Sequence, residues 1–551
     1  MSIRDLAPHF RILRPPCMVQ RGLKDVASQF EVYEINHSEG VTKMASYMAL
    51  GVRHELILQP LQQMANEERL AMAPGPSGAR MMARPDAKSD AAAILESIRG
   101  SKILSSRIKD PANLTVVQGA VAARPNSGAR RAAGAPISTR SVLTLATETV
   151  IAEGLRQADL AAAMNYGATV LEEALDGKVL LQVDSVQRVF GLVDLLLKRE
   201  VGSATPNFLR RVVALKPSPP ATAWSLDKIG VAAAWAITRG HPDIRVAVLD
   251  EGVDTTHPAL KPAVVAERDF IGDNAGSAMP SGNDAHGTAC AGIVLSRDKK
   301  FPGIAPGCSL IAARIAMGDG HDGWIFEDFS TADAIDWCWR QGAAVLSNSW
   351  GGGAPSDAIS RAFARARTQG RGGLGSVVVI AAGNDQMPID FPGDLPGYVT
   401  VGASTPKDER KTRKSSDGED WWGSNFGPTM HVLAPGVFIW TTDIVGPAGY
   451  DPGNFTKTFN GTSSATPAVA GTAALMLSAN PALSASSVRN LLSATAKKIE
   501  KQKAWTPELG WGRLDAGKAV QSAKVAGAPA QPKPPKKVAG KKRARKGSGS
   551  K

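Results

Sequence analysis

Between Trp224 and Val520, short apolar runs alternate with alanine-rich stretches of helical spacing. The runs are IRVAVLD (244–250), CSLIAARIA (308–316), AAVLSNSW (343–350), SVVVIAAGN (376–384), YVTVGAS (398–404) and HVLAPG (431–436). A strand that is apolar on both faces is covered on both faces, and helices between such strands return the chain for parallel pairing. Residues 221–525 are therefore expected to form one α/β domain around a doubly wound, mostly parallel sheet. Residues 141–215 show a different rhythm. A β-rich run (Val142–Ile151) and a helical stretch (Arg156–Asn165) come first. Strand-like segments at Ala168–Leu171 and Lys178–Val183 then flank the turn at Asp176-Gly177. Ser185–Lys198 carries apolar residues at 186, 189, 190, 193, 196 and 197, a helical pattern, and PNFLRRVVAL closes the unit as a strand. The order β-α-β-β-α-β predicts a small α+β module of ferredoxin-like type.

Residues 1–140 carry weaker patterns. Leu56, Leu58, Leu61 and Met64 fall at near-helical spacing, which predicts an amphipathic helix over Glu55–Leu70 that Pro60 would start or kink. From Met72 to Arg140 the chain turns to Ala, Gly, Pro, Ser and Arg, a composition that buries little apolar surface and reads as a linker. Residues 526–551 read as a disordered tail.

Charge follows this division. The formal net charge is +13, and nine Lys and Arg with no acid lie in residues 529–551, leaving about +4 for the rest. The tail is a flexible polycation without aromatic residues, either a solubilising tail or one suited to non-specific polyanion contact rather than to sequence reading. The cysteines, Cys17, Cys290, Cys308 and Cys338, form no CxxC pair. Reduced thiols are expected, with a Cys290–Cys308 bridge left open. The basic N-terminus lacks the apolar core of a secretory signal, and no apolar run approaches the roughly 20 residues of a membrane span. The default expectation is a cytoplasmic protein, with non-standard export left open.

Four segments carry candidate chemistry for acyl transfer. Such chemistry needs a nucleophilic hydroxyl, an imidazole base, an orienting carboxylate and donors for an oxyanion. Asp250 ends the apolar strand of VAVLDEGVDTTHP, His286 opens the small-residue stretch of NDAHGTACAGIV, Asn384 follows the strand of SVVVIAAGND, and Ser463 starts the helical stretch of NGTSSATPAVAG. Taken singly, each has a plain structural alternative: a turn Asp, a packed His, a turn Asn, an N-cap Ser. Taken together, they supply all four parts.

Over about 300 residues these motifs resemble the subtilisin-like (subtilase) serine peptidases. The chain matches D-x-G-x-D-x-x-H-P at Asp250–Pro258, H-G-T at His286–Thr288, A-A-G-N at Ala381–Asn384 and G-T-S-x-A-x-P at Gly461–Pro467. The resemblance implies a serine endopeptidase acting on proteins or peptides through an acyl-enzyme. Asp250 would orient His286, His286 would act as base and then acid, and Ser463 would attack. Asn384 and the Ser463 N–H would hold the oxyanion. Ser464 would take the family's variable position, and Ser349, Trp350 and Gly351 would bind substrate as an added strand. Asp390, before the Phe391-Pro392 pair, falls where the family lines the pocket for the residue preceding the cut. It is either an acid favouring Lys or Arg there, or a surface Asp on a shortened loop.

HGTACAG and GRGGLGSVVVIAAGN resemble the kexin/furin branch, but that branch's cysteine-rich loop and downstream β-domain are not recognisable, so dibasic specificity is not carried over. The 141–215 module resembles subtilase pro-domains. This implies an intramolecular inhibitor of a self-processing zymogen, cut in LKPSPPATAW; the alternative is an uncleaved accessory domain. The family implies no cofactor for the chemistry, though structural calcium is common in it. The acids Asp254, Asp319, Asp322, Asp328, Asp417, Glu419 and Asp420 lack EF-hand spacing and read as loop charges.

Overall fold

A computed structural model describes residues 142–213 and 224–527, apart from 175, 273–275 and 319–322. Of the first 141 residues it describes 10–12, 33–37, 40–49, 52–60, 94, 96–99, 101–108 and 114–122. The basic tail from 528, the linker 214–223 and Cys17 lie outside the described residues.

The α/β domain is built on a seven-stranded parallel sheet. Across it the strands run Val264–Asp269, Ser309–Arg314, Arg245–Asp250, Ala343–Asn348, Val377–Ala381, Val399–Ser404 and Met430–Pro435. Chain order reverses at Arg245–Asp250, because the next two strands in sequence add on one side and the later four on the other. Ligand sites of open α/β sheets lie at such a reversal, beyond the carboxyl ends of the strands. Alternation along this strand explains why both faces are apolar. Val246 and Val248 join the core beneath helices His286–Leu295 and Thr462–Ala479, while Ala247 and Leu249 join the core beneath Asp328–Arg340 and Asp357–Gln369.

Ahead of this domain, strands Val142–Glu153, Thr169–Glu173, Val179–Gln182 and Ser203–Val213 form an antiparallel sheet. Its order is 203–213, 142–153, 179–182, 169–173. Helix Val186–Lys198 buries Val186, Val189, Phe190, Leu192, Val193 and Leu196. Strand Ser203–Val213 continues the sheet into the α/β domain, pairing antiparallel with Gly323–Glu327 so that Leu209 faces Glu327 and Val213 faces Gly323. Ion pairs fasten the two units elsewhere, Lys178–Asp336 fully buried and those of Arg365 part-buried. Lys178 meets Asp336 at 3.2 Å, and Arg365 meets Asp336, Asp176 and Glu153 at 2.7, 3.0 and 3.3 Å.

Two expectations for the N-terminal region are corrected. Of the helix expected over Glu55–Leu70, the part to Pro60 is instead a strand, Val52–Pro60, paired with Gly40–Ala49 and Thr115–Ala122, and residues 61–70 lie outside the described residues. Leu56 and Leu58 are two residues apart, which is the strand period; only their spacing to Leu61 and Met64 suggests a helix. The linker expected over 72–140 contains helix Lys102–Arg107 and strand Thr115–Ala122. Ile94, Ile98, Leu104, Ile108 and Leu114 pack against Leu145, Leu209, Ile271 and Ile325. Their apolar side chains are few, and the surrounding Ala, Gly and Arg dilute them. The Cys290–Cys308 bridge left open is not formed: Cys290, Cys308 and Cys338 are buried free thiols.

Candidate active site

Asp250 is the last residue of the strand at the reversal point and is fully buried. Its Oδ1 accepts from the Glu251 N–H at 2.9 Å and from the His286 ring Nδ1 at 2.8 Å. His286 opens helix His286–Leu295, and its own N–H donates to Glu251 Oε1 at 2.7 Å. Gly287 permits this approach: a Cβ there would sit 2.0 Å from the Gly252 carbonyl oxygen and 2.8 Å from Asp250 Cβ. The imidazole packs edge-on to Phe459 at 5.4 Å and lies 6.0 Å from the Trp324 ring. Burial alone would lower the His286 pKa, but the Asp250 charge and hydrogen bond, helped by Glu251, raise it above the ordinary value. Burial, reinforced by Asp284, pushes Glu251 well above the usual carboxylate range.

Ser463 is the second residue of helix Thr462–Ala479, entered through Gly461 at φ 108°. Its Oγ donates to the Ser349 carbonyl at 3.2 Å, and Ser349 Oγ donates back to the Ser463 carbonyl at 3.0 Å. The Cys290 sulfur lies 3.8 Å from His286 Nδ1 and 3.5 Å from the Ser463 carbonyl oxygen, so base and hydroxyl residue share one neighbour. A serine–imidazole hydrogen bond is commonly long or absent until substrate closes the site. Ser464 is fully buried and donates to the Gly461 carbonyl at 2.9 Å, which leaves Ser463 as the hydroxyl at the cleft.

Asn384 follows the strand Val377–Ala381, and its Oδ1 accepts from Thr462 N–H and Oγ1 at 2.8 and 3.0 Å. With the oxygen tied to the residue before Ser463, the amide N–H groups are fixed in direction. Replacing Asn384 by Ala is expected to lower kcat about 10²–10³-fold with little change in KM, the usual effect of removing one oxyanion donor. Initial rates over a substrate series check it.

The expected substrate segment lies beside this group. Trp350 is buried, stacked on Phe363 at 6.0 Å and tilted against Phe326 at 5.4 Å. The Gly352 N–H donates to the Phe391 carbonyl, which brings the segment against the residue following Asp390. Asp390 is half-buried, and its carbonyl accepts from Asp394 N–H at 3.1 Å. Sequence reasoning missed Glu251, which ties the His286 backbone, and Thr462, which clamps Asn384. Both adjoin predicted residues, and adjacency was the available signal.

His257, His431, Asp254, Asp417 and Glu419 have structural partners. His257 bonds the Asn454 carbonyl and the Ala259 N–H, and burial holds His431 down to about 3. Asp254 accepts from Thr256 and Val445, Asp417 pairs with the fully buried Lys411, and Glu419 accepts from Trp422 Nε1 and Asn460. Asp319, His321 and Asp322 lie outside the described residues. Among those described, the one cluster of three His, Cys, Asp or Glu with metal spacing is Asp250, His286 and Cys290. There burial pushes the thiol well up, keeping it protonated.

Residues 241–512 match the subtilase family model of peptidases. Thermitase of Thermoactinomyces vulgaris is 33% identical over 298 residues, covering 54% of this chain and 94% of thermitase. The calcium-dependent protease of Trichormus variabilis is 31% identical over 396 residues, covering 63% of this chain. This chain spans 57% of that longer relative. The crystal structure of fervidolysin from Fervidobacterium pennivorans, a keratinolytic enzyme related to subtilisin, shares the fold. Its TM-score is 0.55 at 23% identity, over 70% of this chain and 62% of fervidolysin. The chain belongs to the subtilase family. No described helix is long and apolar enough to cross a membrane.

Proposed function

We propose that this chain is a serine endopeptidase that cleaves protein or peptide substrates through an acyl-enzyme. The observation that carries the reading is the buried Asp250–His286 pair at 2.8 Å, set beside Ser463 and Asn384 at the carboxyl ends of the central strands. Ser463 attacks the carbonyl. His286 takes its proton and passes it to the leaving amine, and Asp250 stabilises the imidazolium. Asn384 and the Ser463 N–H meet the oxyanion, while Ser349–Gly351 holds the substrate backbone. The base must be neutral, and Asp250 raises its pKa. Hydrolysis of an unstructured protein should therefore fall as pH drops, with a midpoint above about 6.5, the ordinary histidine value. Activity unchanged down to pH 5 would contradict His286 as the base.

The 141–215 module is proposed as an intramolecular inhibitor. What supports this is strand Ser203–Val213 pairing with Gly323–Glu327, where Val212 faces Trp324, whose ring neighbours His286. A strand added there occupies the path of an extended substrate. Purified wild type is expected to show, by intact mass, a cut within residues 211–224 that Ser463→Ala lacks. Identical intact masses would count against self-processing. Two relatives are named calcium-dependent proteases. Structural calcium is proposed from those names alone; Asp254, Asp328, Asp417 and Glu419 each have a protein partner, and no ligand set is assigned. The basic tail is proposed only as a non-specific polyanion contact.

A further inference from the structure

Arg210 belongs to the module, yet its guanidinium lies inside the α/β domain. It is 1% exposed. Its Nε and Nη2 donate to the two oxygens of Asp328 at 2.6 and 3.1 Å, Nη1 donates to the Gly352 carbonyl at 2.8 Å, and Nη2 donates to the Ala354 carbonyl at 2.6 Å. The rings of Phe391 and Phe326 lie 5.5 and 6.0 Å from its central carbon. The acid, both carbonyls and both rings belong to the α/β domain. A planar fork that meets one carboxylate edge-on and two carbonyls at its sides is a guanidinium geometry, which a lysine ammonium cannot reproduce.

The pocket has a defined place along the cleft. Gly352 and Ala354 directly follow Ser349–Gly351, and Ser349 exchanges hydrogen bonds with Ser463. Gly352 lies three residues beyond Ser349, a chain span of at most about 10 Å. Past Arg210, the module strand runs towards the imidazole, since Val212 faces Trp324 and the Trp324 ring lies 6.0 Å from His286. A chain lying on this path places at Ser463 a bond two to four residues beyond the side chain in the pocket. Binding strength alone gives no reason for such a pocket, because apolar side chains fill a buried site at least as favourably as an ion pair. An empty pocket leaves Asp328 buried without its cation, and burial already pushes that carboxyl up against the pull of Arg210.

We propose that Asp328 with the Gly352 and Ala354 carbonyls forms an arginine subsite of the enzyme, filled by Arg210 in the intact chain and offered to substrate arginines once the module strand leaves. The proposal rests on the endopeptidase reading and names a preference within it. The test begins with the full-length wild type, allowed to process, acting on a peptide library from a denatured proteome, with the cut sites mapped by mass spectrometry. Arginine should be enriched at least fivefold over its background at one position two to four residues N-terminal to the cut, with lysine much less enriched. Cuts without that enrichment overturn the subsite and leave the endopeptidase reading standing. Absence of cuts overturns both. The second measurement needs no catalysis. Millimolar methylguanidinium should raise the Tm of full-length Arg210→Ala in a Ser463→Ala background, and should not raise that of Arg210→Ala/Asp328→Asn in the same background. Equal responses of the two would contradict a guanidinium pocket at Asp328.

Discussion

Replacing Ser463 by Ala is expected to lower kcat/KM on an unstructured protein about 10⁵–10⁶-fold, and His286→Ala is expected to do the same, the scale on which a serine triad fails when its nucleophile or base is removed. The geometry supplies the reason the loss should be chemical. Ser463 Oγ makes one hydrogen bond, to the Ser349 carbonyl, at the start of a helix whose next turns are fully buried. Losing that bond costs about 1 kcal/mol, and Ala is well tolerated in a helix. The Tm should move by only a few degrees. The double variant Ser463→Ala/His286→Ala should be no worse than either single one, because the two side chains act in one step. Additive losses in the double variant would contradict a shared role.

Asp250→Asn is the second large effect, expected at about 10⁴-fold in kcat at neutral pH. The carboxylate accepts from His286 Nδ1 at 2.8 Å, which leaves Nε2 unprotonated and able to take a proton. An amide in the same place can donate to Nδ1 and so favour the tautomer that cannot act as base. The pH profile separates this from general damage. Asp250 raises the His286 pKa against the pull of burial. Without the charge that pKa falls, so the acid limb of the residual activity should move to lower pH while the plateau drops. Asp250 Oδ2 is buried without a hydrogen-bond partner, so an amide N–H there adds a stability cost of about 1–3 kcal/mol. The acid limb is therefore to be measured well below the Tm. An acid limb left in place would mean that His286 does not carry the titration.

The central sheet was legible because parallel strands covered on both faces are written as unbroken apolar runs, such as VAVL before Asp250 or VVVIA before the Gly383-Asn384 turn. The catalytic candidates were legible because each sits at the end of such a run or at the start of a helix, so its setting is local. Helix Val186–Lys198 was equally clear from its apolar stripe. What escaped was long-range or weakly patterned. The spacing of Leu56, Leu58 and Leu61 fits both strand and helix periods, and only the neighbouring strands settle Val52–Pro60 as a strand. The contact between Arg210 and Asp328 joins residues 118 apart, each of which reads alone as a surface charge. Glu251 and Thr462 were visible as letters beside the motifs, but their roles depend on where the His286 and Asn384 backbones turn.

The central claim is that Ser463 is a nucleophile activated by His286. A fluorophosphonate probe tests it most directly, because it bonds to an activated serine and not to an ordinary one. The full-length wild type is incubated with the probe after self-processing, digested, and the adduct located by mass spectrometry. One phosphonylated residue is expected, Ser463, with labelling lost in Ser463→Ala and at least about 10³-fold slower in His286→Ala, a bound set by the contribution of the base. Labelling at Ser464 or another serine, or an unchanged rate in His286→Ala, would contradict it.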